Sequence, residues 1–168
     1  VDWTDATTTN VGTTTMWGVS MGDASNGVAV GATGTIVYTS DGGDTWTAAT
    51  TTNVGATHLY GVSMGDANNG VAVGRVGKII HTSDGGDTWT VATTTNAVGQ
   101  NIFGVSMGDA NNGVTVLGGG GKIIYTSDGG DTWTDATTTN VSGWTVVRGV
   151  SMSDANNGVA VGQSGTIV

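Results

Sequence analysis

Short apolar runs separated by turn residues recur in a fixed order along the chain. Met16 to Met21 reads as a strand and is followed by a turn ending in Asn26-Gly27, a strong hairpin signal. Val28 to Val30 reads as a second strand and Thr35 to Thr39 as a third. An octet, Thr39-Ser40-Asp41-Gly42-Gly43-Asp44-Thr45-Trp46, then leads into a fourth strand. The order returns at Leu59 to Met64, Val71 to Val73, Lys78 to Thr82 and Trp89 to Ala92. It returns again at Ile102 to Met107, Val114 to Val116, Lys122 to Thr126 and Trp133 to Ala136. A last unit offers Val147 to Met152, Val159 to Val161 and Thr166 to Val168, without a fourth strand. The third-strand triplets Ile36-Val37-Tyr38, Ile79-Ile80-His81 and Ile123-Ile124-Tyr125 are continuously apolar or aromatic, the pattern of strands covered on both faces.

Trp3, Trp46, Trp89 and Trp133 stand 43 or 44 residues apart, and a constant period in this range indicates a repeat architecture. Four antiparallel strands per unit of about 43 residues predict an all-β chain, a β-propeller of four-stranded blades with four blades represented. As one domain or fragment, 1–168 divides into a lone outer strand at 1–10, blades at 16–53, 59–96 and 102–140, and three strands of a fourth at 147–168. The N-terminal strand suits the place the last blade leaves empty, in the same chain or in another copy, so ring closure and a head-to-tail fibre both stay open.

The octet has a physical logic. Asp41 accepts hydrogen bonds from nearby backbone N–H groups, glycine supplies positive φ, and the indole brings a large apolar surface to bury. The structural set is Asp41, Gly43, Thr45 and Trp46 in the first unit and Asp84, Gly86, Thr88 and Trp89 in the second. In the third it is Asp128, Gly130, Thr132 and Trp133. Thr-x-Asp-x-Gly-x-Thr-Trp resembles the Asp-box, or BNR, repeat, which implies a turn between the third and fourth strands of a propeller blade. The longer pattern from Gly74 to Trp89, Gly-x-x-Gly-x-Ile-x-x-Thr-x-Asp-Gly-Gly-x-Thr-Trp, is similar to the propellers of the photosystem II assembly and stability factor family. That resemblance implies docking to protein partners partly through arginine-rich surface, and this chain has two arginines.

Composition narrows the function. The net charge is −9, from thirteen acidic residues, all Asp, against four Lys and Arg. Ten of these Asp are repeated turn residues, so the acidity follows from the scaffold, and it argues against nucleic acid as a partner. No apolar run is long enough to span a membrane. Cys and Glu are absent, which excludes disulfides and Cys-ligated zinc. Many Asp-box proteins are glycosidases, but the carboxylate pairs or arginine triad such enzymes use cannot be assembled here, so no catalytic residue, metal or cofactor is expected. His81 takes the slot of Tyr38 and Tyr125 as a scaffold substitution. The Asp66 to Gly70 and Asp109 to Gly113 turns lack the bidentate acidic ligand of a calcium loop.

Comparing the units with one another separates scaffold from the rest. Variation gathers in two connections that emerge on the same side of an up-and-down blade. It gives a candidate contact face of His58, Arg75, Lys78, Gln100, Lys122, Trp144 and Arg148, with drift in unconstrained loops as the other reading. Thr7, Thr8, Thr9, Thr50, Thr51 and Thr52 form the first two of four threonine triplets. Thr93, Thr94, Thr95, Thr137, Thr138 and Thr139 form the others. They suit strand ends, and exposed they are also O-glycan acceptors, beside the sequon at Asn140. High Thr, Gly and Asn with little Lys predicts an extracellular or surface module, a structural or adhesive unit able to self-associate. The alternative is a glycan- or protein-binding scaffold, lectin-like or of the assembly-factor type.

Overall fold

A computed structural model of the protein describes residues 4–8, 11–52, 54–93, 97, 99–137 and 146–168. After β1 (Thr7–Thr8), the first blade runs β2 (Met16–Met21), β3 (Gly27–Gly31), β4 (Ile36–Thr39) and β5 (Thr45–Ala48), each strand antiparallel to the one before. β6 (Thr50–Thr51) leads to the second blade: β7 (Leu59–Met64), β8 (Gly70–Gly74), β9 (Ile79–Thr82) and β10 (Thr88–Val91). The third comprises β11 (Ile102–Met107), β12 (Gly113–Leu117), β13 (Ile123–Thr126) and β14 (Thr134–Asp135). The fourth holds β15 (Val147–Met152) and β16 (Gly158–Gly162), with a bridge from Val161 to Ile167 in place of a full third strand.

The core lies between blades. Val28, Val30 and Ile36 of the first blade pack with Leu59, Met64, Ile80 and Trp89 of the second. Val71, Val73 and Ile79 do the same with Ile102, Met107, Leu117, Ile124 and Trp133. Val116 and Ile123 meet Val147 and Ala160. The middle strands of the second and third blades therefore have a neighbour on both faces, which is why their sequence is apolar without alternation. The inner strands β2, β7, β11 and β15 touch in succession. At each junction a serine hydroxyl accepts the next blade's methionine N–H: Ser20 from Met64 at 3.0 Å, Ser63 from Met107 at 2.9 Å and Ser106 from Met152 at 2.9 Å.

The core of the N-terminal strand read from the sequence, around Trp3, lies outside the described residues; the threonines after it form β1, which pairs in parallel with β5, Thr7 opposite Thr45 and Thr8 opposite Trp46. β6 pairs with β10 in the same way, Thr50 opposite Thr88. The physical reason is the direction of the chain as it leaves an outer strand. The backbone carries on along the rim onto the next blade, where Thr7 N–H donates to Asp44 O, Thr50 N–H to Asp87 O and Thr93 N–H to Asp131 O, at 2.7–2.9 Å. Thr7, Thr8, Thr50, Thr51, Thr52, Thr93 and Thr137 are exposed. Thr9, Thr94, Thr95, Thr138, Thr139, Asn140 and Trp144 lie outside the described residues.

Candidate functional site

The two ends of the inner strands have different chemistry. At one end the octets and the Asp-containing hairpins meet, Gly42 N–H donating to Ser25 O at 2.8 Å, with the same bond at Gly85 and Gly129. Asp41 accepts from Thr45 N–H at 2.9 Å, from the Thr45 hydroxyl at 2.6 Å and from the Thr39 hydroxyl at 2.8 Å. Gly42 and Gly43, at φ 79° and 101°, make the bend, and Trp46 Nε1 donates back to Gly43 O at 3.0 Å. The Thr45 hydroxyl, with the Thr45 N–H and the Thr39 hydroxyl, holds the Asp41 carboxyl down to about 2. At Asp84 and Asp128 burial pushes upward, but the equivalent threonine bonds outweigh it and the net direction is down.

The hairpin carboxylates are equally occupied. Asp23 accepts from the N–H of Asn26 and of Ser25, both at 2.7 Å, and from the Asn26 amide on both oxygens. The Asn26 N–H, the Asn26 amide and the Ser25 N–H lower its pKa. Asp66, Asp109 and Asp154 repeat the pattern. These carboxylates serve their own turns, and among the described residues no group of three His, Cys, Asp or Glu could hold a metal ion.

The opposite end carries a feature that comparing loops does not reveal. The register of every inner strand slips at its second residue: between Met16 and Gly18, Leu59 and Gly61, Ile102 and Gly104, and Val147 and Gly149. The skipped residues are Trp17, Tyr60, Phe103 and Arg148. A bulge leaves its extra residue out of the ladder and re-aims the side chain. The following glycine lets the inner strands approach. A Cβ on Gly61 would lie 3.0 Å from Phe103 O, and one on Gly104 would lie 3.1 Å from Arg148 O. Side chains at the bulges are thereby brought within ring-contact distance from blade to blade. Trp17 and Tyr60 have centroids 5.4 Å apart, and Tyr60 stacks on Phe103 at 5.3 Å with 28° between planes. His58 meets Trp17 edge-on at 5.0 Å. Such pairs contribute about 0.5–1.5 kcal/mol each beyond area burial. Even so, Trp17 remains 44% exposed and Phe103 41% exposed.

Most of the sequence-derived contact face lies at this same end. His58 Nδ1 accepts the N–H of Thr33 at 3.1 Å, and Asn101 Oδ1 accepts that of Val76 at 3.2 Å. Both donors belong to non-glycine residues at positive φ, 54° and 58°, so each side chain steadies a strained turn of the preceding blade. His58 therefore has a scaffold task besides its place in the aromatic row. Gln100 O accepts Gly77 N–H at 2.5 Å. Arg75 and Arg148 are exposed, Lys78 is half-buried, and Lys122 Nζ lies 3.0 Å from Asp135 Oδ1. All four cations of the chain sit at this end of their strands, the ladder end where the inner-strand bulges lie, while ten of the thirteen Asp sit in the octets and hairpins at the other end. Tyr60 and Phe103 were absent from the sequence-derived set. The available signal was the changing residue just before the constant Gly-Val-Ser-Met.

Comparison with known proteins gives a consistent result. The family model described as "Photosynthesis system II assembly factor YCF48" matches residues 2–101. Among solved structures, one described as YCF48 bound to D1 peptide has a TM-score of 0.71 and 25% identity over 90% of this chain and 49% of that one. YCF48 from Cyanidioschyzon merolae has a TM-score of 0.70 and 20% identity, covering 91% of this chain and 49% of its own. The chain thus spans about half the length of these relatives. An ancestral GH74 enzyme shares the fold, with a TM-score of 0.64 at 16% identity over 86% of this chain and 21% of that one. No curated protein sequence matches the chain.

Proposed function

Because the chain belongs to the photosystem II assembly factor YCF48 family, we propose that it is a non-enzymatic propeller segment that docks a protein partner on its aromatic face. The family match supports this alternative over the extracellular structural or adhesive unit that composition suggested. The observation that carries the reading is the aromatic row of exposed Trp17, half-buried Tyr60 and exposed Phe103, with Arg148 at the next bulge. Aromatic and Arg side chains are the types that dominate protein-binding hot spots. A relative of 25% identity has been solved with a D1 peptide bound, so that peptide is the probe of choice.

The test is fluorescence anisotropy of a labelled D1 peptide titrated with the chain. Saturable binding is expected, weakened about tenfold by Phe103→Ala and by Arg148→Ala, a loss of about 1.4 kcal/mol each. The melting temperature of both variants should stay near that of the parent. Binding unaffected by either substitution would remove this face from the proposal. A glycan reading draws on the same exposed rings, since aromatic faces also stack on sugars. A sugar array probed with the parent and Phe103→Ala separates the two.

A further inference from the structure

The two end blades carry the unmatched halves of a contact the chain makes three times internally. At the first two junctions the second-strand valines of a leading blade are covered by the octet of the next. A Cβ on Gly86 would come within 2.6 Å of Val28 Cγ2, and one on Gly130 within 2.5 Å of Val71 Cγ2. Val28, Val30, Val71 and Val73 are accordingly 0% exposed. The same positions on the fourth blade are open, Val159 at 51% and Val161 at 46%. On the first blade, Val19 is 65% and Met21 44% exposed, whereas the corresponding Met64 and Met107 are each 7% exposed. Trp46 is only half-buried, and Trp89 and Trp133 are buried. Among the described residues these two end faces have no covering blade.

We propose that a second copy of this chain covers them, its first blade seating on the fourth blade of its neighbour in the register of the inner junctions. Three observations favour this occupant. The two exposed faces are the complementary halves of one repeated interface, so the partner surface is present in the same sequence. The hydrogen-bond key continues: Ser151 occupies the acceptor position of Ser20, Ser63 and Ser106, and the Met21 N–H the donor position of Met64, Met107 and Met152. The rim continues too. Ala6 corresponds to Ala49, which is half-buried against the second blade, and β1 comes onto its blade as β6 comes onto the next. Residues 4–6 thus stand where a preceding blade would have its outer strand, and among the described residues the fourth blade has none.

One residue sets the strength of this contact. A Cβ on Gly22, Gly65 or Gly108 would lie 2.0, 2.1 or 2.2 Å from the carbonyl oxygen of Asp66, Asp109 or Asp154 in the next blade. The fourth unit has Ser153 at this position, so the contact between copies is held wider than the inner ones, and removing the side chain tightens it.

Sedimentation velocity over a dilution series tests the proposal. The parent should show a concentration-dependent species of at least twice the chain mass. Val19→Asp and Val159→Asp, at exposed sites that leave the fold intact, should each reduce self-association by at least tenfold. An equimolar mixture of the two should restore a dimer, because one variant keeps a sound trailing face and the other a sound leading face. Ser153→Gly should strengthen association. A parent that stays monomeric at every concentration overturns the proposal. So does a mixture that fails to pair, or association that survives both substitutions.

Discussion

The two ends of the inner strands teach different lessons about how a repeated fold carries function. At the aspartate end the carboxylates of Asp23, Asp41, Asp66, Asp84, Asp109, Asp128 and Asp154 each have three or four hydrogen bonds from their own turns, and the residues are nearly the same in unit after unit. At the ladder end the backbone is just as regular, with a bulge at the same place in each inner strand, yet the residue at the bulge changes from Trp to Tyr to Phe to Arg. Regular geometry with changing chemistry yields a surface that is rigid and individual at once. The acidity that dominates the composition belongs to the first end, and the proposed recognition surface to the second.

Substitutions at the two ends should therefore separate stability from binding. The largest effect is expected for Trp89→Ala, an indole 1% exposed between two blades, at about 3–5 kcal/mol in urea unfolding. Trp46→Ala, at the half-buried end blade, should cost clearly less. Next comes pH. Asp23, Asp41, Asp66, Asp84, Asp109, Asp128 and Asp154 all have lowered pKa values, so the folded chain binds fewer protons than the unfolded one in acid. Their contribution is complete above the ordinary carboxylate value of about 3.9 and is lost as pH falls through the folded values. Tryptophan fluorescence should report acid unfolding that starts below that point and is still in progress near the Asp41 value of about 2. A transition centred above pH 5 would contradict this assignment.

Smaller effects sharpen the contrast. Val76→Gly removes a β-branched residue from φ 58° and should raise stability by about 0.5–1 kcal/mol in the same urea assay. Phe103→Ala should change stability by less than about 1.5 kcal/mol, the scale of a single aromatic pair, while abolishing most peptide binding. If Phe103→Ala unfolds the chain as readily as Trp89→Ala, the division of labour between the two ends fails.

Much of the scaffold was legible in the sequence because its signals are local. The Asp-Gly-Gly bend, the Asn-Gly hairpins and the doubly covered apolar triplets each follow from residues within a few positions of one another. All four inner strands have the bounds read from the sequence. The pairing of β1 with β5 was not legible because its partner is chosen by the path of the chain along the rim, which no local pattern encodes. The aromatic row was missed for a related reason. Trp17, Tyr60 and Phe103 are some 43 residues apart, and only the bulge and the close approach of Gly61 and Gly104 to the neighbouring strands bring them together. Thr33, Val76 and Ser164 at positive φ were also hidden, since nothing in those residue types announces a left-handed backbone.

The threonine strands along the rim bear on how the chain comes to be folded. Thr50 and Thr51 leave one blade and complete the edge of the next, so a unit's exit is anchored only when its successor has formed. Neighbouring units are thereby obliged to gain and lose order jointly, and the array melts as a coupled series instead of as independent beads. A break introduced within the loop that follows Thr51 would leave β6 paired with β10 and the interblade core in place, so the coupling should outlast it.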